Sequence, residues 1–234
     1  MNNLNIVALI PARGGSKGIP KKNLKKTAGL PLVAWTIKQA KASKLISYIF
    51  VSTDNNEIAK VSLRYGASVV KRPKNLASDI ATSEDVLSHA INYIERQRKI
   101  KIDLVVFLQA TSPVREKGDI DKAIKRFLME KADSLFSAAK LEDFFIWEKR
   151  PGNYHSVNYD YRHRKRRQDI KTQYLENGSI YIFKPELIKK EHNRLGGKIA
   201  VFEMANWKSF QVDDSEGLKL CEYYIKNRLL KGRK

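Results

Sequence analysis

The twenty residues LNIVALIPARGGSKGIPKKN, positions 4–23, decide how this chain reads. Leu4 to Ile10 is a nearly continuous apolar run, the pattern of a parallel strand buried on both faces. It passes directly into a loop with glycines at 14, 15 and 18, whose backbone freedom lets successive amide hydrogens point into one concavity. Arg13, Lys17, Lys21 and Lys22 surround that loop with positive charge. A strand that ends in a cationic glycine loop suits a phosphate-rich ligand, and a triphosphate matches this amount of charge. Two familiar phosphate motifs are excluded. No glycine is followed at the required spacing by Gly-Lys-Ser/Thr, and GxGxxG is absent.

Further along, short apolar runs alternate with helical patterns. Pro31 opens a helix in which Leu32, Trp35, Thr36 and Ala40 recur at helical spacing, and Ile46 to Ser52 reads as the second strand. Asp54 and Glu57 predict a capping-box start to the next helix, and Gly66 its end. Val69 and Val70 mark a short strand, Ser83 to Arg96 a helix, Leu104 to Leu108 a strand, and Asp119 to Glu130 a helix. This β-α-β-α order predicts right-handed crossovers, a mostly parallel sheet flanked by helices, and a ligand crevice at the carboxyl ends of the strands.

After Ser134 to Ala139 the pattern breaks. Residues 140–174 are aromatic and basic, with Phe144, Phe145, Trp147, Tyr154, Tyr159, Tyr161 and RKRRQD at 164–169, before Gly178 to Phe183 resumes as an alternating strand. Such a segment is too aromatic for a flexible linker and too charged for a core, so it is expected to pack against a second subunit. The expected division is a nucleotide-binding α/β domain of residues 1–139 and 175–234, interrupted by an arm of residues 140–174.

Composition narrows the class further. With 234 residues and 42% apolar content, the chain fits one α/β domain of ordinary size. No apolar run reaches the roughly 18 residues of a membrane span, and MNNLNIVALI lacks the basic start and long apolar stretch of a secretion signal, so a cytoplasmic protein is expected. The 45 Lys and Arg against 25 Asp and Glu give a net charge of +20, which raises a basic RNA-binding module as a rival reading. The excess concentrates at 13–26, 162–171 and 226–234. A basic tail after a helix is ordinarily solvated surface, and a lysine-rich loop serves a small phosphate ligand equally well, so nucleic acid is the minor reading. Cys221 is the sole cysteine, which excludes an internal disulfide and a thiolate metal cluster; it shares a helix face with Leu218 and Ile225 and is expected in the core. His89, His155, His163 and His192 show no metal-ligand spacing, and no serine elbow is visible.

Read together, IPARGGSKGIPKKN (10–23), VSTD (51–54), RPKNLASDIATS (72–83), LQATSPVR (108–115), RRQD (166–169), ENGSIYIF (176–183) and VDD (212–214) resemble, in order, the motifs of the acylneuraminate cytidylyltransferases. These are the CMP-sialic acid synthetases and relatives that activate other nonulosonic acids, and the resemblance covers almost the whole chain. It implies a Rossmann-like α/β fold of the nucleotide-diphospho-sugar transferase type. It also implies use of CTP and Mg²⁺, transfer of CMP to the anomeric hydroxyl of a sugar acid with release of pyrophosphate, and a homodimer built through the arm. A nucleotidyltransferase of the same fold acting on another sugar is the nearer rival.

Carried residue by residue, the resemblance places Arg13, Ser16, Lys22 and Asn23 on the CTP phosphates and nearby groups, and Arg72 and Ser83 at the cytosine and ribose. It places Gln109, Arg167, Gln168 and Asn177 at the sugar acid, with Arg167 pairing the substrate carboxylate, and Asp213 with Asp214 at the metal. Arg13, Lys22 and Asp213 form the implied catalytic set. Local rules add other roles: Ser83 reads as a helix N-cap, as does Asp214 or Ser215 before the last helix. Arg115 either meets an anion, fixes its loop, or pairs at the surface with Glu116 or Asp119. Three departures stand out against the family. Gln211 occupies the first position of an Asp-x-Asp pattern, Leu175 a position where sialic acid enzymes carry arginine, and Trp147 one where some carry lysine. The last two point to a more apolar acceptor such as legionaminic or pseudaminic acid. QATSP carries no carboxylate, unlike the equivalent loop of Kdo cytidylyltransferases.

Overall fold

A computed structural model describes residues 4–16, 18–141 and 145–231, apart from the side chain of Arg167. The strand foreseen at the start is β1 (Ile6–Pro11). A two-residue hairpin, β2 (Lys26–Thr27) and β3 (Leu30–Pro31), leads into α1 (Leu32–Lys41), and β4 (Tyr48–Thr53), α2 (Asn56–Arg64) and β5 (Ser68–Lys71) follow. Next come α3 (Ser83–Gln97), β6 (Leu104–Leu108), α4 (Asp119–Met129) and β7 (Ser134–Leu141). A small hairpin of β8 (Trp147–Arg150) and β9 (Asn153–Ser156) precedes β10 (Gln173–Phe183), α5 (Pro185–Glu191), β11 (Ile199–Met204) and α6 (Ser215–Tyr224).

Seven strands form one sheet in the order β11-β7-β10-β6-β1-β4-β5. All pairings are parallel except those of β10, which runs antiparallel to both β6 and β7. The continuous apolar run of β1 has a direct cause. Ile6, Ala8 and Ile10 face a core shared with Val33 and Ile37 of α1 and Ile124 of α4, while Val7 and Leu9 face Leu87 and Ile91 of α3. Helices therefore cover both faces, and alternation disappears. From β1 the chain winds outward through β4 and β5, then returns to the other side of β1 as β6. Strand order thus reverses at β1, and a crevice opens there beyond the carboxyl ends.

Several local expectations need correction. Asn55, not Asp54, caps α2: its Oδ1 accepts from Glu57 N at 2.9 Å and Ile58 N at 3.0 Å. Asp54 instead accepts from the backbone N of Gly14 at 2.9 Å and holds the glycine loop. Thr82, not Ser83, caps α3, in a capping box closed by Asp85, so Ser83 is the first helical residue, where the span read from sequence begins. β10 starts at Gln173 rather than Gly178, because 173–176 extend the ladder with β7 before an irregularity that ends at Tyr181. Tyr174 and Leu175 are exposed there, so the strand begins without the alternation that marks its second half. Cys221 and Ile225 are fully buried, as their shared helix face implied. Among the described residues, no helix is long and apolar enough to cross a membrane.

Candidate active site

A cavity of about 390 Å³ opens at the reversal point. Its walls come from the glycine loop, the 72–83 segment, the exits of β6 and β11, and the start of α3. Of the residues singled out from sequence, Arg13, Ser16, Lys22, Asn23, Arg72, Ser83, Gln109 and Asp213 line it. A larger hollow of about 690 Å³ between α1, α4 and the C-terminal turn takes in none of these eight, although Arg115 lines it.

The glycines of the loop act differently from the expectation. None of Gly14, Gly15 and Gly18 has a positive φ; the left-handed position is Lys21, at φ 52°. What the glycines permit is close approach. A Cβ on Gly14 would stand 2.9 Å from the Asn55 side chain, and one on Gly18 would stand 2.2 Å from the carbonyl oxygen of Asp213. Gly18 thereby lets the loop pack directly against the chain segment that carries Asp213. Lys22 Nζ bridges the same gap from its side chain, 3.2 Å from Asp213 Oδ1. Arg13 NH1 donates to Ser78 O at 3.2 Å and pairs with Asp79 Oδ1 at 2.9 Å. Asn23 donates to Arg13 O at 2.9 Å, and its buried Oδ1 has no partner among the described residues. Lys21 turns away and pairs with Glu57 of α2 at 3.0 Å, while Lys17 lies outside the described residues.

Arg72 leaves β5 beside this loop and is 6% exposed. Its Nε donates to Ser52 Oγ at 3.2 Å and its NH2 to Ser52 O at 2.8 Å. Burial pushes the guanidinium down to about 10; Asp54 opposes that shift and Arg13 adds to it. Sequence reasoning missed Asp79, Phe107 and Gln211 as wall residues. Asp79 stood inside a segment already singled out, Phe107 looked like one more strand apolar, and Gln211 was noted only for the carboxylate it lacks.

Arg115 proves to be a loop tie. It is 1% exposed and donates to Gln109 O at 2.8 Å, Ser179 O at 2.7 Å, Gln39 Oε1 at 3.0 Å and Thr36 Oγ1 at 3.3 Å. The proposed surface pairing is not formed, because Lys208 takes both Glu116, at 2.5 Å, and Asp119, at 2.8 Å. Behind the cavity, Asn177 is buried rather than open to a ligand. Its Oδ1 accepts from Ser137 Oγ at 2.6 Å and Ser179 N at 3.1 Å, and its Nδ2 meets Met204 Sδ at 3.5 Å. Asn177 shapes the strand irregularity and reaches the wall only through its carbonyl, which accepts from Gln211 Nε2 at 3.1 Å.

For a metal, the donor set is small. Asp213 lines the cavity with a side chain 73% exposed, and Asp79, the other carboxylate there, is paired with Arg13. Asp214 does not join the wall: its Oδ1 accepts from Gly217 N at 2.8 Å and caps α6. Among the described residues, no group of three or more His, Cys, Asp or Glu side chains could hold an ion. One hard carboxylate is enough for Mg²⁺ when phosphate oxygens and water complete its shell, so Asp213 fits that role. The arm carries Gln168 in an exposed turn away from the cavity, and neither Phe144 nor the Arg167 side chain lies among the described atoms. Phe145, Trp147, Tyr159 and Tyr161 form an aromatic cluster on the β8–β9 hairpin side, with Trp147 and Tyr161 about half exposed.

An open, mostly parallel sheet with its crevice at the reversal point defines the class: an α/β protein built to present loops to a ligand beyond β1. The cytidylyltransferase family model matches residues 7–229, and the chain belongs to that family; it is a nucleotidyltransferase. It is 34% identical to the post-translational flagellin modification protein B of Campylobacter coli, across 97% of this chain and 98% of that protein. It is 39% identical to N-acylneuraminate cytidylyltransferase A of Danio rerio over 89% of this chain, and spans about half (48%) of that longer relative. Over 75% of this chain it is 36% identical to the pseudaminic acid cytidylyltransferase of Campylobacter jejuni, covering 76% of it. Among solved structures, a CMP:2-keto-3-deoxy-manno-octonic acid synthetase complexed with CTP superposes with TM-score 0.71 at 17% identity, over 96% of this chain and all of that one. The 4-diphosphocytidyl-2C-methyl-D-erythritol synthase of Anaerococcus prevotii gives 0.68 at 13%, over 97% and 100%. These two likenesses bear on fold, which is that of the nucleotide-diphospho-sugar transferases.

Proposed function

We propose that the chain transfers CMP from CTP to the anomeric hydroxyl of a nonulosonic acid, working in the cytoplasm as a homodimer joined through its arm. The observation that carries this reading is the Lys22–Asp213 pair, a cation and a carboxylate 3.2 Å apart in the lining of a cavity of about 390 Å³. The names of the N-acylneuraminate and pseudaminic acid relatives support the acceptor class.

In this scheme the acceptor hydroxyl oxygen attacks the α-phosphorus and gives up its proton to solvent water, the bond from that phosphorus to the bridging oxygen breaks, and pyrophosphate leaves with the electron pair. The chain's own part is positioning and charge neutralisation, which dominate nucleotidyl transfer. Arg13 and Lys22 exchange their present carboxylate partners for phosphate oxygens, and Ser16 and Asn23 add neutral contacts. Arg72, tied to the β4 exit by two bonds to Ser52, and Ser83, in the first turn of α3, hold the nucleoside side. Gln109 faces the sugar acid from the cavity wall, and Arg167 and Gln168 are assigned to it by the resemblance. Asp213 would hold Mg²⁺, with Asp214 remaining a helix cap. When bound, the ion withdraws charge from the phosphate oxygens. Exposed Trp147 and Tyr161 offer the arm's apolar contact with the partner subunit.

The test is pyrophosphate release from CTP and Mg²⁺ with sialic, legionaminic and pseudaminic acids, products read by mass spectrometry. A CMP-sugar acid from at least one of them is expected. Release with none of the three, or with neutral sugars only, contradicts the reading. RNA binding is the outcome to watch in a salt-dependent gel shift, and retarded RNA at 150 mM salt without CMP transfer favours the rival.

A further inference from the structure

Where the cavity lining meets β10 it carries two side-chain amides. Gln109 leaves the end of β6, and Gln211 stands in the segment between β11 and α6; a Cβ on Gly178, at φ 65°, would touch Gln109 Oε1 and Gln211 Nε2 at 2.8 Å each. The two amides thus converge on one point of the β10 backbone. Gln211 is fixed there from two directions. Its neighbour Val212 is fully buried and donates its N to Thr111 O at 2.7 Å, and its own Nε2 donates to Asn177 O at 3.1 Å. Because that partner is a carbonyl, which only accepts, the end facing it must be the nitrogen. The free pole of the Gln211 amide is therefore Oε1, an acceptor without a hydrogen-bond partner among the described residues. The Gln109 amide has no side-chain hydrogen bond there either.

Asp213, two residues on, has other neighbours: Lys22 and the glycine loop. The segment accordingly divides between a charged residue on the phosphate wall and a neutral one on the β10 wall. We infer that Gln211 is a specificity-determining residue for the second substrate, its Oε1 accepting from a neutral O–H or N–H of the sugar acid beside Gln109, and that it takes no part in holding the metal. This rests on the CMP-transfer reading and deepens it. A site built to satisfy a donor discriminates strongly against a substrate that lacks it, whereas an apolar wall does not. An amide oxygen is also able to ligate a hard cation, so the two roles must be separated by measurement.

The experiment uses wild type, Gln211→Leu and Gln211→Asp. Steady-state constants are measured for CTP, for the preferred sugar acid, and for an analogue of it lacking one hydroxyl or N-acyl donor. Mn²⁺ binding to the CTP complex is followed separately by electron paramagnetic resonance. For Gln211→Leu the expected result is a tenfold or larger fall in kcat/KM for the sugar acid, loss of discrimination against one donor-deleted analogue, and a CTP KM and Mn²⁺ affinity within twofold of wild type. Gln211→Asp should tighten Mn²⁺ binding while impairing the sugar acid. Weakened Mn²⁺ binding in Gln211→Leu overturns the proposal in favour of a metal ligand, and an unchanged sugar-acid kcat/KM overturns it outright. If wild type transfers CMP to no sugar acid, the CMP-transfer reading fails and this inference falls with it; failure in the variants alone leaves that reading intact.

Discussion

Two buried arginines follow strands on opposite sides of β1, and they have opposite duties. Arg72 follows β5 and makes two hydrogen bonds, both to Ser52, so part of its guanidinium remains available at the cavity wall. Arg115 follows β6 and distributes its donors over Gln109, Ser179, Gln39 and Thr36. Among the described residues neither has a carboxylate within ion-pair distance, and burial lowers both guanidinium groups, to about 10 and about 9 respectively. Type, burial and pKa direction are shared; the number of internal partners separates a ligand-facing cation from a structural one. A guanidinium whose two terminal nitrogens are spread over four acceptors, with only its Nε unpartnered among the described residues, ties loops together, and one bonded to a single residue is held ready for an anion.

The largest effect should come from breaking the structural member. Arg115→Leu leaves the carbonyls of Gln109 and Ser179 without their donors, at a cost of about 3 kcal/mol, or a melting temperature roughly 6–12 °C lower for a chain of this size. Calorimetry checks this, and a change below about 2 °C would remove Arg115's role as a tie. Arg72→Leu should have the contrasting signature, raising the CTP KM about tenfold or more through one lost charge-assisted contact while lowering stability less than Arg115→Leu does. Equal stability losses with unchanged CTP KM would erase the distinction between the two. Lys22→Ala sharpens it on the phosphate wall, where a contact worth about 1.5–3 kcal/mol predicts a turnover at least ten times lower with an unchanged melting temperature. Gly178→Ala, at a left-handed position facing both amides, should cost about 1–2 kcal/mol in urea unfolding. Least of all, Thr82→Ala removes the cap of α3 for about 1 kcal/mol.

Much of this was legible in the sequence, for identifiable reasons. The run Leu4–Ile10 reads as a two-sided strand because helices on both faces demand apolar residues at every position, and the alternating order of elements then fixes a sheet with its crevice at the carboxyl ends. Cys221 was legible from helical spacing. Roles that depend on which of two adjacent polar residues turns inward were not. Asn55 and Asp54, and Thr82 and Ser83, compete for the same cap with nearly equal chemistry, and tertiary contact decides: Asp54 is needed by Gly14 N. Arg115 read three ways, as an anion contact, a loop tie or a surface pair, because nothing local shows that four acceptors from distant segments converge on it. Asn177 read as a ligand contact from the resemblance, although its amide is consumed within the sheet. The glycines of 14–18 were read for backbone freedom, but what Gly14 and Gly18 permit is the approach of Asn55 and Asp213, residues far along the chain, while a Cβ on Gly15 would meet nothing within 4 Å.

The central claim is that the loop leaving β1 and the Asp213 segment together receive the triphosphate of CTP with a divalent ion. It is tested most directly by calorimetric titration of CTP with Mg²⁺ into wild type, Lys22→Ala and Asp213→Asn. The account predicts one site per chain in wild type, affinity at least tenfold weaker in Lys22→Ala, and loss of the Mg²⁺ dependence in Asp213→Asn. Equal affinity in all three, with the same response to Mg²⁺, would place the nucleotide elsewhere and contradict it.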